Sequence, residues 1–83
     1  MAGAVRSEAY QHLLSALVRL RAEKALSQAD LAALVGKPPS FVGKYEIGER
    51  RLDVVELFVL LKAQGVDPAK FLAKNLRDLP ERL

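Results

Sequence analysis

Glycine, proline and helix-capping residues divide the 83-residue chain into short segments. Gly36, Gly48 and Gly65 each follow an apolar run, and glycine is preferred where a helix ends in a left-handed residue. Capping signals precede these runs, namely Ser7, the pairs Ser27/Asp30 and Asp53/Glu56, and Asp67 followed by Pro68. The chain therefore has room only for short helices joined by tight connections.

Apolar residues recur every three or four positions in each segment, as on the buried face of an amphipathic helix. The 15 Leu and 12 Ala residues favour helix, whereas there is a single Ile and no Thr or Trp. We therefore expect an all-α fold of five helices, which is compact and has no internal repeat. The predicted helices run from Ser7 to about Ala25, over about 27–35, from near Pro39 to Ile47, from Asp53 to Gly65, and from Asp67 through Leu76, with Pro80 limiting the last.

Composition excludes several classes of function. Without cysteine the chain forms no disulfide, no thiolate zinc site and no cysteine nucleophile, and His12 alone makes no metal cluster. Asp30 and Glu56 are interpreted as caps, so we expect neither an enzyme nor a cofactor. No apolar run reaches the length of a membrane span and no secretory signal is evident, which predicts a cytoplasmic protein. We expect a flexible N-terminus over 1–6, one domain over 7–79 and a tail over 80–83.

The charge balance permits a nucleic-acid partner without requiring one. Thirteen Lys and Arg residues against ten Asp and Glu residues give a net charge of +3. Basic residues flank the predicted third helix, and such residues neutralise phosphates and provide affinity that does not depend on sequence. These residues are Lys37, Lys44, Arg50 and Arg51.

Residues 28–47 read as two short helices joined by a tight turn at Gly36. Ala32 is small where the two axes approach, and Val42 and Tyr45 are apolar where the second helix would face the first. This is the helix-turn-helix pattern, whose second helix enters the major groove of DNA. The stretches LSQADLAALVG, SFVGKYEIGER and KAQGVDP resemble the Cro/repressor (Xre-type) helix-turn-helix family of lambda-repressor-like domains. The resemblance extends to the first helix and so covers most of the chain.

The resemblance implies a transcriptional regulator that binds double-stranded DNA, commonly as a homodimer on a palindromic operator. It implies a phosphate contact for Gln28 and an ion pair between Arg21 and Glu46 that ties the first helix to the third. The start of the third helix would meet base edges, Lys44 and Gly43 would lie one turn further on the same face, and the residues after that helix would approach the DNA backbone or minor groove. In this sequence the base-edge positions are Pro38, Pro39 and Ser40, and the following pair is Arg50 and Arg51.

Three positions depart from the family pattern. Many relatives carry Gln where this chain has Pro39, and Gln can make a bidentate bond to adenine whereas proline cannot. Gly43 has no side chain to read a base, although it would let the backbone approach the duplex closely. Pro38 occupies the usual capping position, so the third helix is expected to lack a side-chain cap. We therefore expect few hydrogen bonds to bases and a larger share of specificity from DNA shape.

Two questions stay open at this level. The fifth-helix stripe of Phe71, Leu72, Leu76 and Leu79 either packs on the core or forms a dimer interface, or does both. The prolines and Gly43 also leave room for an alternative function, in which the fold binds another protein as an antitoxin or antiactivator does. Charge reversal at Lys44 and Arg51 separates these functions, because it abolishes DNA binding and leaves capture of a protein largely intact.

Overall fold

The computed structural model describes residues 7–83, which form five α-helices and no strand. Residues 1–6, predicted to be a flexible N-terminus, lie outside the described residues. The helices are α1 (Glu8–Glu23), α2 (Gln28–Leu34), α3 (Ser40–Glu46), α4 (Val54–Ala63) and α5 (Pro68–Asn75). The prediction of a five-helix all-α fold is confirmed. Within the described range, no helix has both the length and the apolar character needed to cross a membrane.

The predicted capping residues begin four of the helices. The Ser7 hydroxyl accepts from the Tyr10 amide, and the Asp67 carboxylate accepts from Ala69. Ser27 and Asp53 each begin a reciprocal capping box, in which the cap side chain and the residue three positions on satisfy each other's amides. Three glycines with positive φ follow α2, α3 and α4, as the sequence predicts: Gly36 at 74°, Gly48 at 82° and Gly65 at 77°.

Two predicted helix boundaries were wrong by one or two residues. The N-cap of α3 is Pro39 rather than Pro38, although α3 does lack a side-chain cap. Helix α1 ends at Glu23, because Ala25 adopts a left-handed φ of 56° and the Leu26 amide turns back to the Arg21 carbonyl.

The predicted fifth-helix stripe is also shorter than expected. Helix α5 ends at Asn75, whose side-chain amide donates to the Phe71 carbonyl, and Leu76 is the C-cap. Leu79 lies four residues beyond the end of α5, in a tail without regular secondary structure.

The core is built around α1, which packs against α3 on one side and α5 on the other. Ala32 of α2 and Val42 of α3 are fully buried where these helices cross. Burial of these apolar side chains is the main force that holds such short helices in place, since isolated helices of this length are unstable in water. The buried apolar residues are Leu13, Leu14, Ala16, Leu17, Leu20, Leu31, Ala32, Phe41, Val42, Tyr45, Leu57, Leu60 and Leu61.

Candidate nucleic-acid interface

Helices α2 and α3 form a compact pair whose second helix presents one side to solvent. The turn closes when the Lys37 amide donates to the Ala32 carbonyl at 2.9 Å. Phe41, Val42 and Tyr45 anchor α3 in the core. The opposite side of α3 is exposed at Ser40, Lys44 and Ile47, and the turn before it exposes Pro38 and Pro39. A helix presented in this way is free to enter a groove of matching width.

Glu46 joins three helices at one carboxylate. The Arg21 guanidinium donates to it through Nε at 2.7 Å and through Nη2 at 3.0 Å, so the pair is bidentate. Gln28 donates to the same carboxylate through Nε2 at 2.9 Å. The remaining Arg21 nitrogen, Nη1, donates to the Leu26 carbonyl at 2.9 Å. The side chain of Glu46 is only 6% exposed, so these contacts fix the angle of α3 relative to α1 and α2.

The pairing raises the pKa of Arg21, chiefly through its hydrogen bond to Glu46. Arg21 is therefore a permanent cation at this joint. The two residues lie in the arrangement that the family resemblance implied.

Gly43 lies against the side chain of Gln28. A Cβ added at Gly43 would lie 3.3 Å from the Gln28 Oε1 atom. Because Gly43 has no side chain, the side-chain amide of Gln28 has room to lie across α3 and reach Glu46. Because an amide nitrogen carries two hydrogens, one donor of Gln28 remains for another acceptor.

Arg50 is held by α4. Its guanidinium makes two hydrogen bonds to Glu56, at 2.9 and 2.7 Å, and a third to the Arg51 carbonyl at 3.0 Å. It also lies 4.9 Å from the centre of the Phe41 ring, and the Lys37 ammonium lies 5.4 Å from the same ring. The structure thus brings Lys37 and Arg50 together at the start of α3, with Arg50 already neutralised by a carboxylate.

The Arg50 contact lowers the pKa of Glu56 to about 2, with help from the Asp53 backbone amide. Sequence reasoning interpreted Glu56 as a cap and missed this pair. The opposite charges at positions 50 and 56 were the only signal, and they span an irregular loop in which spacing does not indicate contact.

Arg51 lies against α1. Its guanidinium is 4.6 Å from the centre of the Tyr10 ring, and the Tyr10 hydroxyl accepts from the Leu52 amide at 3.1 Å. Tyr10 therefore anchors the loop after α3, a role the sequence did not reveal. The Arg51 residue itself is exposed to solvent.

Lys44 differs from the arginines. Its side chain is exposed on the open side of α3, and within residues 7–83 that side chain makes no hydrogen bond or ion pair. An unpaired cation is free to meet a phosphate without first losing a partner.

The predicted dimer candidates on and after α5 divide into two groups. Phe71, Leu72 and Leu76 are half-buried and pack against the core of their own chain. Leu79 is 58% exposed in the tail. The larger exposed apolar surface lies elsewhere, on α4.

Comparisons with known proteins agree with the arrangement of α2 and α3 described above. A family model described as helix-turn-helix matches residues 17–71. The chain is 38% identical to the solved structure of an XRE-family like protein from Pseudomonas syringae pv. tomato str. DC3000, with a TM-score of 0.84 over 95% of this chain and 96% of that one. No curated protein sequence matches the chain.

Proposed function

Because the chain belongs to the Xre-type helix-turn-helix family, we propose that it is a sequence-specific transcriptional regulator that binds as a homodimer to a palindromic operator. The fold is that of a DNA-binding regulator rather than an enzyme. The observation that carries the proposal is the open side of α3, with Ser40 at its start and the unpaired Lys44 one turn further on. The proposal places the protein in the cytoplasm, in contact with DNA.

In this proposal α3 lies in the major groove and its flanks hold the backbone. Lys44 and Lys37 neutralise phosphates, and the second donor of Gln28 reaches another phosphate while its first stays on Glu46. Ser40 bonds a base edge, and the rings of Pro38 and Pro39 pack against thymine methyl groups. Base readout by so few polar groups leaves a substantial part of specificity to DNA shape.

The two arginines play different parts in this proposal. Arg50 keeps its Glu56 partner and shapes the loop, so it adds little to affinity for DNA. Arg51 is exposed beside Tyr10 and is available to a phosphate. This division refines the role that the resemblance gave to both residues.

A second function is favoured by the apolar character of the same face. Ile47 is 74% exposed, and it shares this side of the molecule with Pro38 and Pro39. A surface of this kind suits an antitoxin or antiactivator that binds another protein. We give it second place because Lys44 is unpaired in the middle of the face.

Fluorescence anisotropy tests the proposal, with DNA from upstream of the protein's own gene and with random DNA of equal length, across a salt series. We expect tighter binding to the upstream DNA and a steep loss of affinity with salt. The double variant Lys44→Glu/Arg51→Glu should abolish binding to both DNAs. No binding to either DNA at low salt would reject the regulator function and leave the protein-binding alternative.

A further inference from the structure

The α4 apolar face consists of Val54, Val55, Phe58 and Val59. These residues are 70%, 70%, 39% and 47% exposed, although they lie within a single ten-residue helix. Scattered exposed apolar residues are normal, whereas the largest contiguous apolar patch of a monomer is often functional.

The α4 apolar face is not part of the core of its own chain. Helix α4 meets the core through its other side, where Leu57, Leu60 and Leu61 are buried. The helix is thus apolar on nearly all sides, which is typical of a helix buried on all sides rather than one at the surface. One side of α4 is buried in the core of its own chain, and the other side is exposed.

We propose that the α4 apolar face docks on the same face of a second copy of this chain, with the two α4 helices antiparallel about a two-fold axis near Phe58. The homodimer belongs to the function proposed above, and the new assignment is its surface and its geometry. A two-fold pairing requires a surface that complements itself, and the apolar face of α4 meets this requirement.

Charge complementarity favours a second copy over an unrelated partner. Helix α4 begins at the Asp53 carboxylate and carries Lys62 near its end, on the same stripe as Val54 and Phe58. In an antiparallel pair centred on Phe58, Lys62 of each copy lies opposite Val54 of the other, beside its Asp53. Each end of the apolar contact is then closed by opposite charges, once per copy.

A stable interface buries about 800 Å² on each partner and has an apolar centre within a polar rim. In the proposed dimer the α4 apolar face is the centre, and the polar surface around it is the rim. Val55 and Val59 also line a shallow cleft of about 190 Å³ with Lys37 and Phe41, at the start of α3. The proposed interface therefore borders the element that reads DNA, and dimerisation would fix the relative positions of the two α3 helices.

Sedimentation velocity on the full chain tests the assignment over a micromolar concentration series without DNA. We expect the wild type to dimerise and Val55→Glu to weaken the dimer at least about tenfold, since it places a charge within the apolar contact. Leu79→Glu is the matched control, because it adds the same charge at an exposed apolar residue outside α4, where Leu79 is 58% exposed against 70% for Val55. It should dimerise as the wild type does.

Lys62→Glu tests the antiparallel geometry separately. It leaves the apolar residues unchanged and should weaken the dimer several-fold by placing a carboxylate beside Asp53 of the other copy. Circular dichroism verifies that each variant is folded, and a carboxylate at Val55 in the first turn suits the helix dipole. A monomeric wild type, or a dimer that dissociates with Leu79→Glu and survives Val55→Glu, overturns the proposal, as does a dimer indifferent to Lys62→Glu.

The failure of this inference is distinguishable from the failure of the DNA-binding function. Anisotropy on a half-operator reports DNA contact by one copy and does not require the α4 interface. A chain that dimerises through α4 and binds no DNA supports the inference and rejects the function. A chain that binds the half-operator and never dimerises rejects the inference and the homodimer, and supports DNA binding by a single copy.

Discussion

Glu46 is the residue on which the position of α3 most depends, since one carboxylate receives Arg21 and Gln28 together. Removing one member of a nearly buried pair leaves the other charge without compensation. We expect Glu46→Gln to lower the free energy of unfolding by about 2 kcal/mol, below the range for fully buried pairs because Arg21 retains some contact with water.

Urea denaturation of Glu46→Gln measures this loss. Glu49→Gln is the control, because Glu49 is exposed in the following loop and has no side-chain partner among residues 7–83. It should change stability by less than about 0.5 kcal/mol. Equal effects of the two changes would mean that the Glu46 contacts contribute nothing specific.

The lowered pKa of Glu56 predicts that the folded protein loses stability in acid. Its pKa lies at about 2 in the folded chain, against an ordinary value of 4.5. A lowered carboxyl pKa contributes stability that is complete above the unfolded value and is lost as pH falls through the folded value. The contribution of the Arg50–Glu56 pair should therefore decline from about pH 4.5 to about pH 2.

Thermal unfolding of Glu56→Gln across this window isolates that contribution. The glutamine keeps an oxygen for the Asp53 amide but loses the charge and the second oxygen, which accepts from Arg50. Asp30, whose pKa is lowered by hydrogen bonds from Ser27, is present in both proteins and cancels in the comparison. We expect the difference between wild type and variant to shrink as the pH falls, and a constant difference would contradict the assignment.

At the residue scale, the sequence predicted contacts that belong to a known motif and missed contacts that have no sequence signal. Arg21 and Glu46 were paired only through the family resemblance, because they lie 25 residues apart. The Tyr10 anchor of the loop after α3 spans 42 residues and had no local signal. Contacts between distant residues depend on how the helices pack, and periodicity does not specify packing angles.

At the scale of the elements, capping determines where α2 begins. Ser27→Ala removes the hydroxyl that accepts from the Asp30 amide at 2.9 Å and should cost about 1 kcal/mol in urea denaturation. Ser15→Ala changes the same side chain at an exposed position inside α1, where alanine favours helix, so it should be neutral or slightly stabilising. If both changes cost the same, the cap makes no special contribution.

Element positions were predictable because local chemistry specifies them. Caps, glycines and apolar spacing agree in this chain, so four helix starts were found directly. The end of α1 was missed because Ala25, rather than glycine, takes the left-handed conformation. Helix α4 has apolar residues on two sides, and its sequence does not reveal which side the fold covers.

At the scale of the whole molecule, the distribution of charge matters more than its sum. The chain carries a net charge of +3 over extents of 35 × 28 × 20 Å, and a field at physiological salt is screened over about 8 Å. Cations on opposite sides of the molecule therefore act on a bound duplex independently. The net charge, known from the sequence, is compatible with DNA binding. Only the fold shows which cations lie on the same side of the molecule.

Lys44→Gln and Lys70→Gln separate a local contact from the overall charge. Each lowers the net charge by one, but Lys44 lies on the open side of α3 whereas Lys70 lies on α5, in a groove formed with α1. If Lys44 neutralises one phosphate, its loss reduces the slope of log K against log salt by about 0.9, and Lys70→Gln leaves that slope unchanged. Anisotropy titrations on one duplex measure both slopes. Equal reductions would mean that the protein attracts DNA through its total charge, and that α3 does not direct the contact.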